Sequence, residues 1–160
     1  MKKNKSPNMK NAHRPISTAY QNKRDGEYAE LLFMAKATSL GFAVLQPFGE
    51  MAPYDFILDA DGSMHRVQVK STRYRDADRY RIHVTHGTTK HRYDHGKVDV
   101  LVAYVAPHDA WYVIPSKELL HRSAFSFKPH INNHIVPWEK YREAWSIMLP
   151  DAVSSRASTP

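Results

Sequence analysis

Asp55, Gln68 and Lys70 are the residues of this chain whose types and spacing best suit chemistry. An acid and a carbonyl oxygen can hold a hard cation, and an amine can orient a phosphate or a water. The three fall on two short strand-like segments, Tyr54-Asp55-Phe56-Ile57-Leu58 and His65-Arg66-Val67-Gln68-Val69. Asp61-Gly62 lies between the segments, and Asp-Gly is a strong signal for a two-residue hairpin turn. Counting outward from that turn, Ala60 faces Ser63, Asp59 faces Met64 and Asp55 faces Gln68. Directly opposed residues have Cβ atoms roughly 4.5–5.5 Å apart. Lys70 follows Gln68 by two positions and shares its face. The spacing therefore predicts an acid, an amide and an amine clustered at one end of a hairpin. The competing reading is a solvated polar strand face.

A helix predicted over about 19–40, capped by Ser17 or Thr18 and ended at Gly41, supplies a further candidate. On a wheel of about 100° per residue, Glu30 sits with Phe33, Met34, Ala37 and Gly26, bracketed by Leu31 and Leu40. A carboxylate within an apolar face needs a partner. That partner is either a salt bridge at the core edge or the Asp55/Gln68 cluster, where Glu30 would serve as a metal ligand. Gly26 would let the helix come close to the sheet or to DNA. Glu27 has Lys23 one turn before it as an ion-pair partner.

The remaining elements must hold these residues in place. Phe42–Leu45 reads as a strand, and Tyr80–Val84 alternates as another. Val98–Val105 is the most apolar stretch and reads as a central strand, pairing with Trp111–Pro115 across Pro107-His108-Asp109. Ser116–Leu120 reads as a capped short helix and Trp138–Met148 as a last helix, while 86–97 is polar and irregular. This order gives an α/β domain with a mixed sheet covered on one face by the long first helix. The chain divides into a basic arm at 1–17, one domain at 18–149 and a tail at 150–160. Asp99, at the start of the central strand, reads as the structural partner of a basic residue.

The chain of 160 residues suits a single domain, and its net charge of +7 points to a polyanion, most often nucleic acid. Much of that charge precedes the first acid, Asp25. Without cysteine there is no disulfide, thiolate zinc site or cysteine nucleophile, in keeping with a reducing, cytoplasmic setting. No apolar run approaches the roughly 20 residues that span a bilayer, and no secretory h-region follows the basic start, so no membrane is expected. Basic and aromatic residues after Lys70 suit nucleic-acid contact. They include Arg73, Tyr74, Arg75, Arg79 and Arg81, with Lys90, Arg92 and Lys97 beyond and Asp76 and Asp78 diluting the patch. The bland alternative is a solvated loop. Ser71 and Thr72 stand ready for phosphate, and Lys23 and Arg24 on the helix join the expected DNA contacts. The histidine pairs His91/His95 and His130/His134 have i, i+4 spacing but lack the companions of a zinc site or of an HNH nuclease.

Helix glutamate, strand aspartate, then Gln-x-Lys after a hairpin resembles the PD-(D/E)XK nuclease superfamily. Tyr54-Asp55 stands where that family has Pro-Asp, and Gln68-Val69-Lys70 where it has (Asp/Glu)-x-Lys. Gly26-Glu27-Tyr28-Ala29-Glu30 matches the preceding helix. Val67–Ser71 and Trp111–Pro115 resemble, more narrowly, a branch that includes a group I intron homing endonuclease. The resemblance implies a restriction endonuclease-like core and Mg²⁺-dependent DNA cleavage, with Mn²⁺ able to substitute. It implies that Asp55, Gln68, Glu30 and the Val69 carbonyl hold one or two metal ions, and that Lys70 positions water or stabilises charge. The departure is Gln68, a neutral ligand where the family has an acid. It leaves open a second reading, an inactive nuclease fold that binds nucleic acid. DNA and RNA substrates are not separated by the sequence. Because one site cuts one strand, double-strand cleavage implies a homodimer or a dimer of dimers.

Overall fold

Helix α1 spans Thr18–Ser39, a run without proline that is rich in alanine and in straight-chain residues. The computed structural model describes residues 18–49, 51–86, 91–92, 96–120, 122–131 and 136–150. The expected basic arm, nearly all of the expected tail, and Lys90, His95 and His134 lie outside these residues. α1 ends in a Schellman motif: Phe42 N–H donates to the Ala37 carbonyl and Gly41 N–H to that of Thr38. Gly41 takes the left-handed conformation there, with φ of 91°. Phe42 is thereby drawn into the core beside Ala37.

Strands follow as β1 (Ala43–Leu45), β2 (Phe56–Ala60), β3 (Ser63–Thr72), β4 (Arg75–Asp76), β5 (Arg79–His83), β6 (Thr85–His86), β7 (His91–Arg92), β8 (Val100–Val105), β9 (Ala110–Pro115) and β10 (Ala124–Phe127). The main sheet has five strands in the order β1-β2-β3-β8-β9. All its pairings are antiparallel except β3 with β8. The hairpin turn has positive φ at both Asp61 (51°) and Gly62 (89°), the signature of a type I′ turn. The expected pairing of Asp59 with Met64 and Ala60 with Ser63 holds.

Each face of the sheet carries its own core. Ala29, Phe33 and Ala37 of α1 pack on Phe56, Leu58, Val67, Val69, Val100 and Val102. On the far face, Leu101, Ala103, Tyr112 and Ile114 meet Tyr80, Ile82, Phe125 and Phe127 from a second sheet, ordered β10-β5-β4. The parallel pairing is pinned at its start by Asp99. Its carboxylate accepts Arg66 N–H at 2.8 Å, Nε at 2.9 Å and Nη2 at 2.7 Å. These bonds hold the Asp99 carboxyl below its usual range.

Some expectations need correction. β10 carries no distinctive signal and was not foreseen. Trp138–Met148 is not one helix but two 3-10 turns, Glu139–Tyr141 and Trp145–Met148. Trp138 (φ 79°) and Glu143 (φ 49°) are left-handed, which breaks any continuous helix. Ser116–Leu119 is a 3-10 turn without a side-chain cap. Thr85–His86 and His91–Arg92 pair as β6 and β7, where 86–97 reads as irregular. Leu31 and Leu40 do not bracket a buried arc; both are exposed. A Cβ at Gly26 would meet nothing within 4 Å, so no close approach to the sheet explains that glycine.

Asp99→Ala is expected to destabilise the domain by about 1–2 kcal/mol, since its bonds to Arg66 are partly solvent-screened. Urea unfolding checks this; no change in midpoint would mean that the pairing of β3 with β8 does not need the clamp.

Candidate active site

The site forms where β2 stops. β2 pairs with β3 only as far as Phe56 opposite Val67, whereas β3 continues beside β8 to Thr72. Residues 68–72 of β3 therefore have no strand on their β2 side. Asp55, just before β2, closes part of that gap. Its N–H donates to the Val67 carbonyl at 2.9 Å, one residue out of the ladder's register. Its Oδ2 accepts Val69 N–H at 2.8 Å and Gln68 Nε2 at 2.5 Å. The expected meeting of Asp55 with Gln68 thus occurs, through a local departure from the straight ladder.

Gln68 is the single buried polar residue among the described residues, 7% exposed. Its Nε2 also lies 3.4 Å from the Val69 carbonyl. The amide nitrogen therefore sits between two oxygens of the expected ligand set. Lys70 is half-buried, and its positive charge lowers the pKa of both Asp55 and Glu30. Glu30, on α1, lies close enough for the Asp55 and Lys70 charges to act on it. It lies at the margin of the helix's buried face and is half-buried rather than core.

Burial pushes both carboxyls up. For Asp55 it outweighs the Val69 N–H bond, the Lys70 charge and the Gln68 bond. For Glu30 the next cause is the neighbouring Asp55 charge, which also raises it. Two partly desolvated acids close enough to repel, backed by a main-chain carbonyl and an amide, form an oxygen donor set that fits a hard divalent cation. Gln68 would have to present Oε1 where it now presents Nε2. Among the described residues no three His, Cys, Asp or Glu side chains gather as metal ligands. This set therefore carries two negative charges.

The other expected contacts are dispersed. Ser71 Oγ donates to the Asp25 carbonyl at 3.5 Å, which ties β3 to α1. Arg73 is engaged by the Asp25 carboxylate at 3.3 Å. Arg75, on β4 of the second sheet, has Nη2 3.5 Å from His130 Nε2. Arg79 and Arg81 alternate outward along β5 while Tyr80 and Ile82 point into the core. Lys23 is 3.9 Å from Glu27, as the spacing predicts, and Arg24 is exposed beside it. Thr72 is half-buried past Lys70. Sequence reasoning missed Asp25, whose carboxylate pairs with Arg73 just past β3; no local pattern on α1 signals such a pair.

A mixed sheet with α1 on one face, and an acid, an amide and a lysine where β2 ends, define a restriction endonuclease-like fold. The family of PD-(D/E)XK endonucleases matches residues 20–148. The chain belongs to that family. Among solved structures it is similar to a bacterial homing endonuclease, I-Ssp6803I, at 24% identity and a TM-score of 0.69. That match covers 86% of this chain and 98% of the other. No curated protein matches the chain. No described helix is long and apolar enough to cross a membrane.

Asp55→Asn keeps an oxygen acceptor for Val69 N–H and removes a desolvated charge. Without divalent cations its thermal midpoint is expected to equal or exceed that of the parent, by about 2–4 °C per kcal/mol relieved. A carboxyl raised in the folded state penalises folding above its folded pKa, and the penalty fades as pH falls through that value. The gap between variant and parent should therefore be widest near pH 7 and shrink on acidification. A gap that grows on acidification would overturn the account of a buried charge.

Proposed function

We propose that this chain is a divalent-metal-dependent DNA endonuclease. The observation that carries the reading is the convergence of Asp55, Gln68, the Val69 carbonyl, Glu30 and Lys70 on the uncovered edge of β3. Asp55, Glu30, the Val69 carbonyl and Gln68 Oε1 would hold Mg²⁺ or Mn²⁺. Bound there, the cation supplies charge neutralisation at the scissile phosphate and a more acidic water. Lys70 donates to a phosphate oxygen or to the attacking water, offsetting charge that builds on the phosphorus oxygens. Glu30 and Asp55 fix these partners from two elements, α1 and the approach to β2. The outward arginines of β5 and the exposed Lys23 and Arg24 suit backbone phosphates, so binding should weaken steeply with salt. Two copies would be needed to cut both strands of a duplex.

The test is cleavage of plasmid, linear and branched duplex DNA, and of RNA, with Mg²⁺, Mn²⁺ or EDTA. Lys70→Ala and Asp55→Ala are each expected to lower cleavage by at least about 10²-fold while leaving a folded protein. Parental rates in either variant would sink the assignment. Complete double-strand cleavage by a species that light scattering shows to be monomeric would refute the paired assembly.

Gln68 supports a second reading, in which the fold binds nucleic acid without cutting it. DNA binding with no cleavage in any metal would favour it. Gln68→Glu adds a third charge and separates the two. It is expected to lower the Mg²⁺ concentration for half-maximal activity about tenfold, and to lower the thermal midpoint in EDTA. A requirement for Mg²⁺ that does not move would exclude Gln68 from the metal's ligands.

A further inference from the structure

One residue beyond Lys70 the strand leads into a pocket of about 250 Å³ that the metal chemistry does not use. Its walls come from α1 (Asn22, Asp25, Tyr28), from the residues after β3 (Arg73, Tyr74) and from Tyr104 of β8. We propose that this pocket receives one unpaired nucleobase of the strand being cut. The preferred substrate would then be duplex DNA with an extrahelical nucleotide beside the scissile phosphate. The proposal rests on the endonuclease reading and names its substrate class.

Size and chemistry carry the assignment. The cavity is smaller than the roughly 300–1,000 Å³ that drug-sized ligands occupy, and it suits a single ring system. Tyr28 and Tyr74 are 57% and 60% exposed, so neither is consumed by the core. Exposed aromatic rings flanking a narrow space are stacking platforms for a base. Tyr104 makes a fixed wall, its ring stacked 4.1 Å from that of Trp111 and its hydroxyl donating to Asp109. Asp25 is held rigidly, accepting from Gln21 Nε2 at 2.9 Å and facing Arg73 at 3.3 Å.

Arg73 pairs with the Asp25 charge within the same wall, and a carboxylate oxygen accepts from an exocyclic amine. With the Asn22 amide beside it, the polar wall suits the amino-bearing edge of adenine or cytosine. A base paired within a duplex cannot enter such a pocket and must leave the stack. Position fits as well: Ser71 and Thr72, which also line the pocket, lie about 3–7 Å beyond Lys70 along an extended strand. Thr72, two residues on, shares the face of Lys70 and links the pocket to the phosphate that Lys70 would contact.

The test is fluorescence anisotropy with the full chain in EDTA, so that binding is read without cleavage. Three labelled duplexes are compared: fully paired, with one bulged adenosine, and with one bulged abasic nucleotide. The two bulges carry the same extra backbone and differ only in the base. The adenosine bulge is expected to bind at least about tenfold more tightly than the abasic one. The Tyr28→Ala/Tyr74→Ala double variant should abolish that difference, lowering adenosine-bulge affinity to that of the abasic bulge. A bulged thymidine should bind more weakly than adenosine, and Asn22→Ala should narrow that margin. Equal affinity for the adenosine and abasic bulges, or no binding to any duplex, would overturn the proposal. A retained base preference in a protein that cuts nothing in any metal would keep the pocket and refute the endonuclease.

Discussion

Everything at the site depends on one substitution of partners: the Asp55 carboxylate takes the Val69 N–H that a continued β2 would have covered. A buried amide must find an acceptor. Supplying it from a side chain instead of a neighbouring strand leaves the edge of β3 open to solvent and substrate. It also brings a negative charge into a partly desolvated place, and Gln68, Lys70 and Glu30 respond to that charge. The lysine lowers the acid's pKa, the amide donates to it, and the second acid repels it. Among the described residues, Lys70 is the cation whose charge acts on Asp55.

Gln68 gives the balance a particular character. With an acid there, three carboxylates would crowd the end of β3, and the metal-free protein would bear their repulsion. The amide cancels part of that cost by donating to Asp55 and leaning toward the Val69 carbonyl. The same side chain has an oxygen on its other arm, so under the proposed metal-dependent reading it would turn over when a cation binds.

Much of this was legible in the sequence because it follows from short-range rules. The Asp-Gly turn sets the hairpin register, so Asp55 and Gln68 could be placed together by counting. Gly41 ends α1 where left-handed backbone is required. Asp99 as a structural acid and Lys23 with Glu27 follow from local context. What stayed hidden depends on tertiary neighbours. The break in register at Asp55 arises only because β2 stops while β3 continues beside β8. The pairing of Asp25 with Arg73 joins residues far apart in the chain. Trp138–Met148 has the composition of an amphipathic helix, yet left-handed residues at both ends of Glu139–Arg142 turn it across β9, where Arg142 bridges to Tyr112. Tertiary packing overrode local propensity there.

The Schellman ending of α1 has a consequence for how such a protein can change. The rotation of the helix is fixed from its C-terminal half, by Phe33, Ala37 and the seated Phe42. A turn by one residue would swing Glu30 about 100° away from Asp55. The N-terminal half, carrying Asn22, Asp25 and Tyr28, buries no side chain before Ala29 and is held at Asp25, by Ser71 and Arg73. One half is a rigid mount and the other an adjustable face. Substitutions in the first turns of α1 can accumulate and redirect what the protein grips without disturbing the acids, a separation that lets new specificities arise on an unchanged catalytic frame.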